Sequence, residues 1–387
     1  MYADVVVLGS GIAGRTAAET VRLCQPQANI MMISREESCL RPLLSKAGFN
    51  RMGQTALSME ETEWLRRNEI RLLRTEISAL EPEAHLVHTA HGCVAYKKCI
   101  YALGSEAFVP PIPGAEQEGV FTVRTVADMT AMKRRLPRVR RAVIIGGGVI
   151  GIETGEILAG YGVEVTVLES LPWLLPRVLD RETAEEYRAR LTGCRVETGI
   201  AVRAIEGDGA VSGVSLADGR VFPCELVIIS CGVRPNGELA RSAGLQVQRG
   251  VEVDDRMRTS HPDIYACGDC AQYQGRCAAL WKVAMEQGRT AGYQACGRDS
   301  RYREAAYPVV FYSPESALFA MGELNADENC RVEQSRWKAE QPYRVMRRSL
   351  EGYSRLVYRD GRLIGAALIG DLSRMGQLQR QIAGEEA

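Results

Sequence analysis

Net positive charge, lysine, histidine and long apolar runs are absent or scarce in this sequence. Its 48 basic and 48 acidic side chains give a net charge of zero. This balance excludes a general nucleic-acid-binding protein, because such proteins carry a basic excess. No apolar run reaches the roughly 18 residues of a membrane-spanning helix. The N-terminus has neither the basic segment nor the cleavage site of a signal peptide, so we expect a cytoplasmic protein without a membrane span.

The basic side chains are unevenly divided, with six lysines against 42 arginines, so each lysine stands out. The length of 387 residues predicts two or three domains. A content of 46% hydrophobic and 25% charged residues is typical of a folded globular protein. The twelve cysteines are spread along the chain, and in a cytoplasmic protein we expect most of them to be reduced and packed.

The first of two glycine-rich turns follows a short apolar strand at the N-terminus. The turn has G-x-G-x-x-G spacing and contains Gly9, Ser10, Gly11, Ala13 and Gly14. The first glycine permits the tight turn, the second lets backbone approach a pyrophosphate, and the third lets the helix over 15–24 pack on the strand. A second strand over 29–33 should end in an acid that holds a ribose. Here the acid is displaced, and Glu36 is the candidate.

The second turn repeats this order of strand, glycines and helix. It contains Gly146, Gly148, Val149, Ile150 and Gly151. A helix over 152–161 and a strand over 164–168 follow, and Glu169 ends that strand. A carboxylate there would accept hydrogen bonds from the ribose 2′-OH of NAD and repel a 2′-phosphate, so the sequence favours NADH over NADPH. Two such turns in one chain suggest a flavin and a nicotinamide nucleotide, one passing a hydride to the other.

With these turns, the sequence resembles the flavoprotein reductases with two dinucleotide folds, the pyridine nucleotide–disulfide reductase superfamily. The resemblance includes the segments 101–105, 232–236 and 259–271. It implies an FAD whose ribityl or phosphate region hydrogen-bonds Asp269, and a helix that starts near Trp281 under the flavin. Alternatively, Asp269 is only a turn residue and Trp281 only an aromatic side chain of the core. The resemblance also assigns three glycines to cofactor binding, namely Gly104, Gly232 and Gly268.

The segment 38–46 distinguishes the branches of this superfamily, and we expect it on the first helix after the second strand. Disulfide reductases carry C-x4-C there, whereas this chain has Cys39 alone, which excludes relay through a paired disulfide. The sequence Arg-Pro-Leu-Leu-Ser-Lys resembles the rubredoxin, ferredoxin and nitrite reductase branch. By this resemblance Lys46 would place a mobile positive charge beside the flavin, and Arg41 would cover flavin or phosphate atoms. A surface helix with basic residues is the alternative.

Two further residues each have two interpretations. Cys39 occupies the position of the redox cysteine in single-cysteine NADH oxidases and coenzyme A–disulfide reductases, where a thiolate cycles through sulfenic acid or a mixed disulfide. Otherwise it is an inert cysteine. We expect Glu153 in the first turn of the second helix. It either orients the nicotinamide carboxamide, as the resemblance implies, or only interacts with the helix dipole.

We predict no metal or iron–sulfur site. Cys267 and Cys270 bracket the Gly-Asp pair that should bind FAD, and Cys277 adds no ligand set with a recognisable spacing. Three of the four histidines cluster apart in a predicted β-hairpin, and these are His85, His88 and His91.

The fold class that we expect is α/β, with two Rossmann-like dinucleotide-binding domains of the three-layer ββα type and a small C-terminal α+β domain. Residues 1–112 and 236–300 would form the FAD-binding domain, 113–235 the NAD(H)-binding domain, and 301–387 the C-terminal domain. The run 133–141 holds six cations and no acid. It is either a solvated helix end or a surface that steers an acidic carrier protein.

The implied reaction is ping-pong: hydride passes from NADH to FAD, and electrons then leave to an acceptor. The leading hypothesis is a reductase of a small electron-carrier protein of the rubredoxin or ferredoxin type. The second is an NADH oxidase with oxygen as acceptor, or a small-molecule or disulfide reductase, that uses Cys39. The third is a non-catalytic FAD- and NAD-binding redox sensor or subunit. The sequence leaves the acceptor open and fits a monomer or a homodimer.

Overall fold

The structure is a computed structural model that describes residues 1–47, 61–312, 317–338 and 351–385. The elements up to residue 107 are β1 (Tyr2–Leu8), α1 (Ile12–Cys24), β2 (Ile30–Ser34), a 3₁₀ helix (Arg41–Leu43), α2 (Leu44–Ala47), α3 (Glu61–Arg67), β3 (Arg71–Arg74), β4 (Ile77–Glu81), β5 (Leu86–Thr89), β6 (Gly92–Tyr101) and β7 (Ser105–Ala107). The next part of the chain contains β8 (Val120–Thr122), α4 (Val126–Arg135), a 3₁₀ helix (Leu136–Arg138), β9 (Arg141–Ile145), α5 (Val149–Gly160), β10 (Glu164–Glu169), α6 (Arg181–Arg188), β11 (Cys194–Thr198), β12 (Val202–Gly207), β13 (Val211–Leu216), β14 (Val221–Pro223) and β15 (Leu226–Ile229). The remainder contains β16 (Val233–Pro235), α7 (Glu238–Ser242), β17 (Val251–Val253), β18 (Ile264–Ala266), a 3₁₀ helix (Gly268–Cys270), β19 (Ala271–Tyr273), α8 (Trp281–Ala295), β20 (Val309–Tyr312), β21 (Ala317–Gly322), β22 (Cys330–Lys338), β23 (Glu351–Arg359), β24 (Arg362–Ile369) and α9 (Met375–Ala383).

The chain divides into two compact units, each made of separate segments. Unit 1 consists of Met1–Pro42, Gln54–Glu106 and Val233–Glu304. Unit 2 consists of Leu43–Gly53, Ala107–Gly232 and Ala305–Ala387. Each unit contains its own sheet with a run of parallel strands.

Unit 1 is built on a sheet with the strand order β3-β2-β1-β6-β5-β4, and β18 also pairs with β6. The pairs among β3, β2, β1, β6 and β18 are parallel, whereas β4, β5 and β6 pair antiparallel. Val5, Val6 and Val7 of β1 are all buried, because a central parallel strand is covered on both faces. The helices α1 and α8 pack on this sheet and on each other. The antiparallel strands confirm the hairpin predicted around His88.

Unit 2 contains a five-stranded parallel sheet with the order β11-β10-β9-β15-β8. This order is that of a doubly wound fold, in which later strands are added on the other side of the first strand. A second, antiparallel sheet of β12, β13 and β14 lies within the same segment.

The C-terminal part of unit 2 is a five-stranded antiparallel sheet with the order β20-β21-β24-β23-β22. Helix α9 covers it, and Leu378 and Ile382 of this helix join the core that contains Phe319 and Leu368. Asp360 and Gly361 both have positive φ, as the type I′ turn between β23 and β24 requires. The α/β class with two Rossmann-like sheets and a small C-terminal α+β domain is therefore confirmed.

The helices that follow the two glycine turns start earlier than the sequence predicted. Helix α1 begins at Ile12 instead of residue 15, and α5 begins at Val149 instead of residue 152. The second glycine of each turn is the N-cap, so the third glycine already lies inside the helix. Glu153 is consequently the fifth residue of α5, and its predicted place in the first turn is wrong.

The segment 38–46 is also less helical than predicted. Only its end is α-helical, in α2, and a 3₁₀ helix of three residues precedes it. Pro42 explains this interruption, because proline lacks a backbone N–H and disfavours the α conformation of the preceding residue. Cys39 therefore lies outside a helix, two residues before the 3₁₀ helix.

Within the described ranges, no helix is long and apolar enough to cross a membrane. All twelve cysteines lie in these ranges, and none forms a disulfide. The four buried cysteines are Cys99, Cys224, Cys267 and Cys270. Burial raises the pKa of the Cys99 and Cys267 thiols well above the ordinary value, so both are protonated and packed. Most of the other cysteines are half-buried.

Candidate functional site

The glycine turn of unit 1 leaves room for a ligand at its middle glycine. Gly9 has a φ of +106°, and a Cβ there would lie 2.3 Å from the carbonyl oxygen of Ala102. A Cβ on Gly14 would lie 2.2 Å from the carbonyl oxygen of Gly9. At Gly11, by contrast, no atom of the described part of the chain lies within 4 Å of such a Cβ. Gly9 and Gly14 are therefore required by packing, while Gly11 keeps the backbone open on its outer side.

The start of α1 is suited to an anion. No described side chain caps this helix at Gly11, and its first turn contains no acidic residue. Helices α4 and α6, in contrast, are capped by Thr125 and Asp180. The N–H groups of the first turn of α1 have no acceptor within the helix, and the positive end of the helix dipole lies at the same place. They can therefore bind a phosphate group.

Hydroxyl groups connect the turn of unit 1 to the end of β2. Ser10 Oγ donates to Ser34 Oγ at 2.9 Å, and Ser34 Oγ also donates to the carbonyl oxygen of Glu36 at 3.0 Å. The Glu36 carboxylate lies 2.9 Å from the Arg41 guanidinium and is 39% exposed. The structure thus brings the predicted residues Glu36 and Arg41 together as an ion pair. A serine stands where the acid of the second strand was expected.

The predicted Gly-Asp pair lies beside this turn in unit 1. Gly268 has a φ of +78°, and a Cβ there would lie 2.8 Å from Cβ of Ala13. Its N–H donates to Gln287 Oε1 at 2.9 Å. Asp269 Oδ2 accepts a hydrogen bond from Ser105 Oγ at 2.7 Å, so its carboxylate has a fixed position.

Helix α8 starts at Trp281, as predicted, and the Trp281 side chain is half-buried. A Cβ on Gly288 would lie 2.3 Å from the carbonyl oxygen of Ala13, so α8 passes directly against the start of α1. Gly104 has a φ of +66°, and its carbonyl oxygen accepts from the N–H of Asn236 at 3.0 Å. The turn glycines, the Gly-Asp pair and α8 therefore converge in unit 1.

The glycine turn of unit 2 has the same construction. Gly146 has a φ of +112°, and a Cβ there would lie 2.4 Å from the carbonyl oxygen of Ser230. A Cβ on Gly151 would lie 2.2 Å from the carbonyl oxygen of Gly146. At Gly148 no described atom lies within 4 Å. Among the described residues, no side chain caps the start of α5, and its first turn contains no acid.

Glu169 stands at the end of β10, where the sequence predicted it. One oxygen of its buried carboxylate accepts from the N–H of Gly147 at 2.7 Å, and the other accepts from the N–H of Leu171 at 2.8 Å. The carboxylate therefore touches the phosphate-binding turn directly. Ile150 and Leu171 are large apolar side chains nearby in sequence that are 41% and 46% exposed. Val149, the first residue of α5, is half-buried.

Gly232 follows β15, the strand beside the turn of unit 2, by three residues. It has a φ of +100°, and its carbonyl oxygen accepts from the N–H of Phe108 at 2.9 Å. Cys231 precedes it and donates from Sγ to the carbonyl oxygen of Ile145 at 3.5 Å. Burial and the charge of Glu169 raise the pKa of the Cys231 thiol to about 11.

Glu153 is a buried carboxylate within α5. Its Oε2 accepts a hydrogen bond from Ser45 Oγ at 2.7 Å, and Ser45 is buried as well. Ser45 belongs to α2, which lies against α5 in unit 2. Lys46 follows in α2, and its side chain lies outside the described residues. Glu153 is thus held by a neighbouring segment, and the interpretation as a carboxylate of the first helical turn is wrong.

Cys39 belongs to unit 1 and is half-buried. Its carbonyl oxygen accepts from the N–H of Arg41 at 2.9 Å. Its redox role stays a hypothesis. In the described part of the chain, no group of three or more His, Cys, Asp or Glu side chains is arranged to hold a metal ion. The Cys270 thiol instead donates to the carbonyl oxygens of Cys267 and Tyr101, at 3.3 Å and 3.6 Å.

Several partners of the predicted residues were missed from the sequence. Ser45 holds Glu153, Ser105 holds Asp269, and Gln287 holds Gly268. Ser45 and Ser105 lie in the segments 38–46 and 101–105 that the resemblance marked, but single hydroxyl residues form no spacing pattern, so nothing identified them as partners of these carboxylates. Gln287 was marked only by its place next to Gly288 on the same helix.

Comparison with known proteins yields one family and several relatives. The family described as "Pyridine nucleotide-disulphide oxidoreductase" matches residues 3–288. A rubredoxin-NAD(+) reductase from Pseudomonas putida is 35% identical over 332 residues, which cover 82% of this chain and 86% of that reductase. An NADH oxidase from Methanocaldococcus jannaschii is 30% identical over 344 residues, which cover 82% of this chain and 74% of the oxidase.

A longer relative and a solved structure resemble nearly the whole chain. A nitrite reductase from Bacillus subtilis is 28% identical over 390 residues, which cover 99% of this chain. The chain spans only 47% of the length of that reductase. The crystal structure of a ferredoxin reductase from Rhodopseudomonas palustris has a TM-score of 0.85 and 26% identity, and covers 96% of this chain and 93% of its own.

Proposed function

Because the chain belongs to the pyridine nucleotide-disulphide oxidoreductase family, we propose that it is an NADH-dependent flavoprotein reductase of a small electron-carrier protein. FAD and NADH are its cofactors. One observation carries this proposal. Two glycine turns, each at the end of a parallel strand of a separate sheet, share the same geometry, and each leads into a helix without a side-chain cap in the described structure.

We assign FAD to unit 1. The N–H groups at the start of α1 bind its pyrophosphate, and Gly11 leaves the space that the phosphate needs. Ser10 contacts the end of β2 through Ser34, and the pair of Glu36 and Arg41 follows that end, where a ribose binds in this fold. Asp269, fixed by Ser105, binds the ribityl or phosphate region. The remaining contacts come from Ala13, Gly104, Gly268 and Trp281.

We assign NADH to unit 2. The open space at Gly148 and the start of α5 receive the pyrophosphate, and Glu169 accepts hydrogen bonds from the ribose hydroxyls. A 2′-phosphate would meet this buried carboxylate, which favours NADH over NADPH. Gly232 lies three residues beyond β15, whose parallel pairing with β9 puts the ends of both strands at the same edge of the sheet.

Glu153, Ser45 and Lys46 form the third part of the proposed machinery. Ser45 fixes the Glu153 carboxylate, and a fixed carboxylate can orient the carboxamide of a nicotinamide. Lys46 is the cation that we assign to the flavin. Bound FAD would accept the hydride and pass the electrons on to the carrier protein.

A protein carrier of the rubredoxin or ferredoxin type is the acceptor that we propose, since two of the relatives are named as reductases of such carriers. The basic run 133–141 offers weaker support than its sequence suggested. Arg135 pairs with Glu118 at 2.6 Å and Arg141 with Glu225 at 2.9 Å, so at least two of its six cations have acidic partners. The second candidate acceptor is oxygen, which an oxidase among the relatives favours, with Cys39 as relay.

Anaerobic stopped-flow reduction of the FAD-loaded protein tests the proposal. We expect NADH to bleach the flavin absorbance within the time of one turnover, and rubredoxin or ferredoxin to restore it faster than oxygen does. A flavin that neither NADH nor NADPH bleaches would leave only the redox sensor or subunit. Faster restoration by oxygen, lost in Cys39→Ser with flavin reduction unchanged, would favour the oxidase with a cysteine relay.

We further propose the domain limits 1–112, 113–235, 236–300 and 301–387, with the NAD(H)-binding domain inserted in the FAD-binding domain. Limited proteolysis should cut near residues 112, 235 and 300 if these limits hold. We also propose a cytoplasmic location, which twelve cysteines outside disulfides favour because disulfides persist mainly in oxidising compartments.

A further inference from the structure

Helices α1 and α8 of unit 1 run parallel and contact each other along their lengths. A Cβ on Gly288 would lie 2.3 Å from the carbonyl oxygen of Ala13. One helical turn later, a Cβ on Gly292 would lie 2.7 Å from the carbonyl oxygen of Ala17. Glycines four residues apart thus bring the two backbones close together. An advance of four residues along α8 corresponds to an advance of four residues along α1.

The contact ends at two cysteines. Cys24 is the last residue of α1, and Cys296 is the residue that follows the last turn of α8. Cys296 Sγ lies 3.9 Å from the carbonyl oxygen of Val21, the hydrogen-bond acceptor of the final turn of α1. The spacing of four that places Gly288 and Gly292 on α1 therefore places Cys296 there too.

The two thiols are close enough to influence each other. Burial, followed by the charge and the hydrogen bond of Cys24, raises the pKa of Cys296 to about 12. Both side chains are half-buried, so a small oxidant can reach them. Cys267 and Cys270, the other cysteines in mutual contact, are fully buried and hydrogen-bonded inside the core.

We propose that Cys24 and Cys296 form a reversible disulfide when a peroxide oxidises the folded protein. The Cys24 sulfur attacks the peroxide, the O–O bond breaks, and a sulfenic acid and one water are formed. The Cys296 sulfur then attacks the sulfenic sulfur, the S–O bond breaks, and a second water leaves. Two thiols and one hydrogen peroxide thus give one disulfide and two waters. A dithiol reverses the reaction.

The disulfide would join α1 and α8 at the ends opposite to the glycine turn. Both helices contribute to the proposed FAD site, through Gly11 and Ala13 at the start of α1 and through Gln287 and Gly288 in the middle of α8. The bond would close a loop of more than 270 residues between Cys24 and Cys296, so it should restrict the unfolded chain strongly. Peroxide would therefore stabilise unit 1 without touching either nucleotide turn.

Peptide mapping under non-reducing conditions tests the proposal. The FAD-loaded protein is treated with hydrogen peroxide, blocked with iodoacetamide after unfolding, and digested with trypsin. The tryptic peptides 23–35 and 290–298 each contain a single cysteine. We expect them as one linked species that has lost two hydrogen atoms and that dithiothreitol separates. Recovery of both peptides alkylated, or linkage that appears only when the protein is unfolded before the peroxide, would overturn the proposal.

Variants make the test specific. Cys24→Ser and Cys296→Ser must each abolish the linked species, while Cys93→Ser, which removes an exposed cysteine, must leave it intact. In the unmodified chain, peroxide should raise the melting temperature of the FAD-loaded protein by about 5 °C. The rise should be absent in Cys296→Ser. An equal rise in Cys296→Ser would overturn the assignment to this pair.

Discussion

At the scale of the residue, Glu169 combines two tasks. Its buried carboxylate accepts from the N–H of Gly147, and this bond holds the turn that faces the proposed NADH. The same carboxylate is the acceptor that we assign to the ribose hydroxyls. Its loss should therefore affect nucleotide binding twice, through the ribose and through the turn.

We predict that Glu169→Ala raises the KM for NADH by about tenfold to a hundredfold. Hydrogen bonds to a charged group are worth about 1.5–3 kcal/mol, and about 1.4 kcal/mol corresponds to a factor of ten. Steady-state kinetics with a dye acceptor measures the change. Glu164→Ala is the control, because Glu164 is an exposed acid at the other end of β10. An unchanged KM in Glu169→Ala would contradict the assignment.

At the scale of the element, the contact between α1 and α8 depends on glycine. The approach of Gly288 to Ala13 leaves no room for a side chain, and only backbone lies on the other side. Any side chain there must push the two helices apart. Because the two helices meet at the turn of unit 1, this movement would also displace the FAD site.

Gly288→Ala should consequently destabilise the protein by about 2–3 kcal/mol and release FAD more readily. Urea unfolding, with the FAD fluorescence of the filtrate, measures both effects. Gly160→Ala serves as control, because an added Cβ at Gly160 meets nothing within 4 Å among the described residues. That change should be neutral or stabilise by about 0.5–1 kcal/mol. If both variants lose stability equally, close packing is not the reason for Gly288.

A buried ion pair connects α6 to strand β23 in unit 2. Arg355 Nε lies 3.3 Å from Asp180, which also caps α6, and Arg355 Nη1 lies 2.8 Å from Glu182. Both Arg355 and Asp180 are buried. Removing the cation alone leaves a buried carboxylate without its charge partner, which is costlier than the loss of a surface pair.

We therefore expect Arg355→Leu to lower the free energy of unfolding by about 3–5 kcal/mol. Arg331→Leu, which removes an exposed arginine from β22, should cost less than about 1 kcal/mol. Urea titration compares the two. The double change Arg355→Leu with Asp180→Asn should recover part of the loss, since it removes the unpaired charge. No recovery would point to lost packing instead.

At the scale of the whole molecule, buried thiols predict a decline of stability in alkali. Burial raises the pKa of Cys194, Cys224 and Cys270 to about 12 each. An unfolded thiol ionises near pH 8.5 to 9. The folded state therefore holds more protons between about pH 9 and 12, and stability falls as the pH rises through this range.

By pH 10, each of these three thiols should lower the free energy of unfolding by about 1.5 kcal/mol relative to pH 8. Urea titrations at pH 8, 9 and 10, with a reducing agent present, measure the decline. Cys194→Ala should show a shallower decline than the unmodified chain, because one ionising group is gone. Equal slopes in the two proteins would show that tyrosine or lysine ionisation dominates.

The parts of the molecule that could be predicted are those whose cause is local in sequence. Gly9 and Gly146 need positive φ and close packing, so their spacing marked both turns. Ser45 and Ser105 could not be predicted as partners of Glu153 and Asp269, since these contacts join residues 108 and 164 positions apart. Such contacts exist only once the sheets have brought the segments together. The helix starts were predicted three residues too late, because a glycine N-cap looks like part of a loop.

The order of segments in unit 1 also constrains how the protein is made. Strand β18 pairs with β6, and α8 packs on α1, yet more than 100 residues that belong to unit 2 lie between these partners. A ribosome has to deliver residues up to about 295 before unit 1 can close. Until then β6 lacks its pairing with β18. Pairing between strands so far apart in sequence is slow. The growing chain thus passes through a stage in which strands of unit 1 are exposed and can bind chaperones. The flavin site is incomplete during this stage.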